Sequence, residues 1–308
     1  MVLSKSVFPD KIRVAIAVVW AYFLLSTTAF AVDLADIRQR GVLRHLGVPY
    51  ANFVTASGDG IDGLDVVLIR LFAEHLGVRY ELVTTSWSEA FGDLTGQRVR
   101  PKGKEVTVIG ESKVRGDILA NGLTILPWRE KVVNYSIPTF PTGVWLVARA
   151  DSPIKPIEPS GDMETDIRRV MALIRERSVL TVKGTCLDAD LYELGAVGAE
   201  IRFHAASESL NDIVPSVING AAETALLDIP DALVALQKWP GEIKVVGPVS
   251  PPQLMGVAVA KSSPELLQAF NTFFEACWND GTYEGLVRKY YPAIFLYLGD
   301  FFNSKRGE

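Results

Sequence analysis

The sequence predicts an α/β protein built as two domains, and three observations lead there. Short aliphatic and β-branched runs alternate with stretches of helical periodicity, which implies layers of sheet and helix with largely parallel pairing. The chain has 308 residues, too many for one ordinary small domain and about right for two. Hydrophobic residues make up 48% and charged residues 22%, the balance of a globular chain able to bury a sizeable core. The net charge of -5, without a long basic run, argues against nucleic acid as a partner.

Residues 1–31 read as a signal peptide rather than as structure. Lys5, Lys11 and Arg13 form a positive n-region, and Val14 to Leu25 is an apolar h-region short for a bilayer. Ala29-Phe30-Ala31 is a small-x-small pattern, so cleavage is expected after Ala31. An uncleaved anchor is the alternative. The only two cysteines, Cys186 and Cys277, lie far from that point, so a lipidated N-terminus is not expected. A free, non-lipidated product implies the periplasm as its location. In that compartment the two cysteines either pair or stay as buried thiols, and their spacing leaves both open.

The elements follow in order. Asp33–Arg40 is a short helix ending at Gly41, and Val42–Val48 a strand. From Asp65 the apolar residues Val66, Ile69, Leu71, Phe72 and Leu76 recur at helical spacing up to Gly77. Tyr80–Val83 reads as a strand and Ser88–Leu94 as a short helix. Residues 97–115 interleave Arg98, Arg100, Lys102, Lys104, Lys113 and Arg115 with apolar residues. This is a basic insertion with a possible hairpin turning near Gly110, open to reading as a solvated loop or a docking site. Asp117–Ile125, Trp145–Arg149, Val179–Lys183, Thr224–Leu227, Ile243–Val246 and Val257–Ala260 are strand-like. Asp166–Ile174, Leu210–Asn219 and Asp231–Leu236 are helical. Ser263-Pro264-Glu265 opens a strong helix that breaks near Asp280-Gly281, and a last helix runs from Tyr283 to Tyr290.

Binding chemistry concentrates at three strand ends. Arg129 follows the run 117–125, where a guanidinium can offer a planar fork to a carboxylate; a surface arginine is the plainer reading. Gly184-Thr185 follows the strand 179–183. Thr185 and Asp188 fit a helix-start pattern whose N–H groups attract anions, or simply an ordinary cap. Asp228 ends the strand 224–227, where a carboxylate can hold an ammonium group or form a turn.

The order and spacing of these features resemble the family 3 extracellular solute-binding proteins over roughly Leu34 to Pro292. Gly122-Leu123-Thr124-Ile125-Leu126-Pro127-Trp128-Arg129 through Ser136 is similar to that family's G-hydrophobic-T-I-T-P-E-R-x-K-x-V-D-F-S stretch. Gly63-Leu64-Asp65-Val66, Val182-Lys183-Gly184-Thr185, Leu227-Asp228-Ile229-Pro230 and Asp280-Gly281-Thr282-Tyr283 resemble four further motifs, in the family's order.

The resemblance implies a two-lobed periplasmic-binding-protein fold of type II. Each lobe is then a mostly parallel sheet flanked by helices, and two hinge strands join the lobes. The expected division is 32–143 for the first part of lobe 1, 144–254 for lobe 2, and 255–308 for the return to lobe 1 and an aromatic tail. The crossings are expected near Thr142–Val147 and Gln253–Val257. The resemblance also implies that Arg129 grips an α-carboxylate, with Gly122 in the same segment and Thr124 adding hydrogen bonds. Gly184 and Thr185 would meet that carboxylate from lobe 2, Asp228 would hold an α-amino group, and Trp87 and Phe53 would form aromatic walls. The family's acidic residue after the first strand is missing from Gly47-Val48-Pro49-Tyr50-Ala51-Asn52.

The implied function is substrate capture for an ABC importer. The ligand would be an amino acid or related small carboxylate held by lobe closure, with a membrane permease as partner, the protein a monomer and no cofactor. An enzyme on the same fold, similar to cyclohexadienyl or arogenate dehydratases, is the rival; no general acid beyond Asp228 is evident, so no enzymatic activity is expected. A ligand-sensing partner of a separate receptor is the other. His45, His75 and His204 have no metal-like spacing with the cysteines, and no metal is expected.

Overall fold

A computed structural model describes residues 33–57, 60–205 and 209–304. The signal-peptide reading of residues 1–31 lies outside them. Strand β1 (Val42–Gly47) follows helix α1 (Leu34–Arg40) and precedes the small hairpin β2–β3 (Thr55–Ser57, Gly60–Asp62). Then come α2 (Leu64–Leu76), β4 (Arg79–Thr84) and α3 (Ala90–Thr95). A second hairpin, β5–β6 (Gln97–Lys102, Glu105–Glu111), leads to β7 (Ile118–Leu119), α4 (Pro127–Glu130) and β8 (Val133–Tyr135).

After β9 (Phe140–Thr142), the chain forms β10 (Val144–Arg149), α5 (Met163–Leu173), β11 (Ser178–Thr181) and β12 (Glu200–Phe203). Next are α6 (Ile213–Ile218), β13 (Thr224–Asp228), α7 (Ile229–Lys238) and β14 (Ile243–Pro248). The return runs through β15 (Gln253–Met255), β16 (Ala258–Ala260), α8 (Pro264–Asn279) and α9 (Thr282–Tyr290), with two short terminal helices, α10 (Ile294–Tyr297) and α11 (Gly299–Ser304).

Two five-stranded sheets result, ordered β4-β1-β7-β16-β8 and β12-β11-β13-β10-β14. In the first, β4, β1 and β7 are parallel, and β16 lies antiparallel between β7 and β8. In the second, β12, β11 and β13 are parallel, and β10 lies antiparallel between β13 and β14. Each sheet therefore carries a single reversed strand, and it is the first strand the sheet receives after the chain crosses over. The crossings are β9 and β15, which pair antiparallel with Phe140 opposite Met255 and Thr142 opposite Gln253. The two sheets and their helices are the two expected lobes.

Local chemistry explains the boundaries. Helix α2 buries Leu64, Leu68, Ile69, Phe72 and Ala73 along one stripe and stops at Gly77, whose left-handed φ of 71° closes the last turn. Strands β11 and β13 are buried along their whole length, as strands covered on both faces must be. The tail packs on lobe 1: Phe302 is buried and stacks on Trp278 with ring centroids 5.9 Å apart. Cys186 and Cys277 are both buried and unpaired. Among the described residues no helix is long and apolar enough to cross a membrane.

Four local expectations change. The strand expected over 117–125 ends at Leu119, because Asn121-Gly122 turns the backbone away and Gly122 takes a φ of 63°. The β5–β6 hairpin turns at Gly103-Lys104, not near Gly110; Gly103 supplies the positive φ a tight turn needs. No α-helix starts at Thr185, where the chain makes turns and a 3-10 segment, Ala189–Tyr192. Strand β12 lies in a stretch with no strand expectation. It is largely exposed, so the apolar pattern that marks a buried strand is weak there.

Candidate ligand-binding site

Arg129 is a fully buried arginine, 1% exposed, on the one-turn helix α4. Pro127 begins that turn, and its preset φ aims the chain back so that Arg129 Nη1 donates to the Thr124 carbonyl at 2.8 Å. Three aromatic rings surround the guanidinium: Trp128 at 5.4 Å, Phe91 at 5.6 Å and Trp87 at 5.7 Å from its carbon. These faces offset part of the desolvation of the charge. Among the described residues Nε and Nη2 have no hydrogen-bond partner, and neither does the buried Thr124 hydroxyl. Nε and Nη2 lie on the same edge of the planar group, the edge that accepts a carboxylate with two parallel bonds. A buried charge with more than half its donors unpaired is costly unless something polar meets it.

Asp228 sits opposite, at the end of β13 where Ile229-Pro230 starts α7, and is 1% exposed. Tyr50 Oη, from the loop after β1, donates to Asp228 Oδ2 at 2.9 Å, and Cys186 Sγ lies 3.3 Å from the same oxygen. Burial raises the Asp228 carboxyl to about 6; the hydrogen bonds from Tyr50 and Cys186 and the charge of Arg129 oppose the rise. One helical turn on, Asp231 is raised further, to about 8, by burial and then by the charge of Asp228. Burial, Asp228 and Asp231 likewise push the Tyr50 phenol well above its ordinary range. The Cys186 thiol is also raised, chiefly by burial.

The structure gathers Arg129, Thr124, Asp228 and Trp87 around this polar centre. Gly122 and Phe53 stand behind it. The Gly122 N–H donates to the buried Asp65 Oδ2 at 2.7 Å, and a Cβ on Gly122 would meet the Phe53 ring at 2.5 Å. Phe53 is 1% exposed and packs on Tyr50, Phe140 and Tyr291, which makes it core behind Tyr50 rather than an exposed wall.

Gly184 and Thr185 differ from expectation. The Gly184 N–H donates to Asp188 Oδ2 at 2.7 Å. The Thr185 hydroxyl donates to the Val182 carbonyl at 2.9 Å and accepts from the Leu187 N–H at 3.0 Å. These donors close a capped turn, so they are not directed at a carboxylate. Both residues instead line a cleft of about 650 Å³ between the lobes, with Trp87, Phe91 and Trp128 on its other wall.

Tyr50 carries no role in the sequence reading, yet its hydroxyl reaches the one carboxylate expected to bind an amine. The signal available was its place directly after the first strand, where the family's acidic residue is missing. Gln253 was also missed: Nε2 donates to Tyr192 Oη at 3.4 Å, Tyr192 Oη donates to the Cys186 carbonyl at 2.6 Å, and Gln253 Oε1 is buried with no hydrogen-bond partner among the described residues. Among the described residues no cluster of His, Cys, Asp and Glu could hold a metal ion.

Two lobes joined by paired crossover strands, with an arginine fork facing a carboxylate between them, define the class of two-lobed binding proteins. The chain belongs to the bacterial extracellular solute-binding proteins, family 3, whose model matches residues 110–293. The L-cystine-binding protein TcyJ of Escherichia coli (strain K12) is 24% identical over 277 residues, covering 87% of this chain and 90% of that protein. A membrane-bound lytic murein transglycosylase F of Desulfosudis oleivorans is 24% identical over 284 residues; the match covers 92% of this chain but only 55% of the transglycosylase. Among solved structures, a P235GK mutant of ArgBP from T. maritima aligns with a TM-score of 0.68 at 23% identity, covering 84% of this chain and 99% of that one. The ancestral amino acid-binding protein AncCDT-1, described as a precursor of cyclohexadienyl dehydratase, aligns with a TM-score of 0.64 at 26% identity, covering 84% and 98%.

Proposed function

We propose that this protein is the substrate-binding component of an ABC importer, exported to the periplasm with cleavage after Ala31, where it captures an amino acid or related small carboxylate as a monomer. The observation that carries the reading is Arg129: a buried guanidinium tied at Nη1 to Thr124 with Nε and Nη2 unpaired, facing Asp228 across the lobes. The fork receives the ligand's α-carboxylate, the unpaired Thr124 hydroxyl adds a hydrogen bond, and Asp228 receives the α-ammonium group. Gly184 and Thr185 shape the lobe-2 wall, and Trp87 covers the fork. A ligand touching both lobes favours the state in which they meet, and drying the site strengthens each charged contact. The binding function also agrees with relatives named for binding cystine and amino acids.

The test is calorimetric titration with the standard L-amino acids. At least one should bind the purified protein, and Arg129→Ala should weaken it by about 30-fold or more, as loss of one partner of a buried charge pair does. Absence of binding by every amino acid sinks the reading.

One observation favours a second reading. Asp228, raised to about 6, retains part of its proton near neutral pH beside Tyr50, which suits a general acid of the dehydratase type. Turnover of prephenate or arogenate, lost in Asp228→Asn, would move that reading to the front.

A further inference from the structure

We propose that the β5–β6 hairpin is a third wall of the ligand site and makes it select a ligand with a second anionic group, such as an amino acid with an acidic side chain. This rests on the reading of the interlobe cleft as the ligand site. The hairpin belongs to lobe 1, where Lys131 Nζ ties to Glu105 Oε2 at 2.5 Å. Its far end reaches lobe 2. Pro101 Cγ lies 3.3 Å from where a Cβ on Gly184 would stand, and the same position on Gly103 lies 4.0 Å from the Asp190 carbonyl oxygen. Glycine at 184 is what lets the proline ring approach so closely. Val99, Arg100, Pro101 and Ile109 thereby line the cleft together with Trp87 and Lys183.

Among the described residues lining the cleft, only Arg100 and Lys183 carry a formal charge, and both are positive. Among the described residues neither forms an ion pair, and Lys183 Nζ lies 5.9 Å from the Phe203 ring centroid. Two cations at the rim of a cleft walled by aromatic rings raise the local potential for anions and repel cations. The Arg129–Asp228 centre is buried behind Trp87, Phe91 and Trp128, the rings that surround the guanidinium and also line the cleft. The α-carboxylate and α-ammonium occupy that centre, and the side chain extends past Trp87 into the cleft toward Arg100 and Lys183. The cleft, about 650 Å³, accommodates an acidic side chain at least as long as that of glutamate.

The experiment is tryptophan-fluorescence titration of the purified protein, with Trp87 and Trp128 as reporters, using L-glutamate, L-2-aminoadipate, L-glutamine and L-arginine. The readout is the ratio of dissociation constants. The acidic ligands should bind about tenfold more tightly than glutamine at low ionic strength, a factor set by two partly exposed charge pairs, and salt should shrink it. In the double variant Arg100→Ala/Lys183→Ala the ratio should fall toward one, and Arg100→Glu should shift preference toward arginine. Glutamine or arginine binding as tightly as glutamate, or an unchanged ratio in the double variant, overturns this proposal and leaves the Arg129–Asp228 clamp standing. No response to any of the four ligands overturns this proposal, while the clamp falls only if the calorimetric titration finds no binding by any amino acid.

Discussion

The Tyr50 hydroxyl, carried by lobe 1, donates a 2.9 Å hydrogen bond to Asp228 Oδ2 in lobe 2, so the carboxylate assigned to the ligand's amine already has a donor from the protein. Both side chains are 1% exposed. The phenol and a ligand ammonium group compete for one acceptor. Tyr50→Phe should therefore lower the stability of the ligand-free protein by about 1–2 kcal/mol, the usual worth of a buried hydrogen bond, and leave Asp228 Oδ2 with only the weak thiol donor of Cys186. The same variant should show a larger ligand-induced rise in melting temperature. Differential scanning calorimetry with and without ligand reads both effects.

Gly122 joins the Arg129 segment to the core. Its φ of 63° is strained for any residue with a side chain, and the Phe53 ring fills the place a Cβ would take, at 2.5 Å. Gly122→Ala should destabilise by at least about 2 kcal/mol, combining backbone strain and overpacking. Chemical denaturation measures the loss. Phe53→Leu in the same chain should recover part of it, because the clash is with that ring.

Stability should fall as pH rises from 6.5 to 8.5. Burial raises Asp65 to about 7 and Asp231 to about 8, both above a normal aspartate. A carboxyl with a raised folded-state value holds its proton more tightly in the native state. Its stabilisation is complete below the unfolded value, near 4, and is lost as pH passes the folded value. His45, buried and lowered to about 4, acts in the opposite sense but only below its unfolded value of 6.5, so it contributes no slope in this window. Melting temperature against pH checks the sign, and Asp231→Asn should flatten the fall between 7 and 8.5.

Much of this was legible from local chemistry. Alternating periodicity located both sheets, and the resemblance of the Gly122–Ser136 stretch to the family's motif, with its Thr124-to-Arg129 spacing, marked the fork; the proline-started turn explains where that side chain returns. Asp228 was marked by its place between a buried strand and Pro230. What the sequence hid depends on distance in space. Tyr50 lies 178 positions before Asp228, and nothing local announces that pairing. Gly184 and Thr185 matched a helix start, but Asp188 and Val182 satisfied their donors within a turn. The basic stretch 97–115 read as a solvated loop or docking site, since only the folded hairpin places Arg100 opposite Lys183.

The most direct test of the central claim compares one amino acid that binds with its two truncated forms, the amine lacking the carboxylate and the acid lacking the amine. Titration of the unaltered protein, Arg129→Ala and Asp228→Asn with all three gives a thermodynamic cycle for each charged group. The account predicts that the unaltered protein rejects both truncated forms. Arg129→Ala should lose discrimination against the amine alone, and Asp228→Asn discrimination against the acid alone. Undiminished discrimination in both variants would contradict it and place the ligand's charged groups away from Arg129 and Asp228.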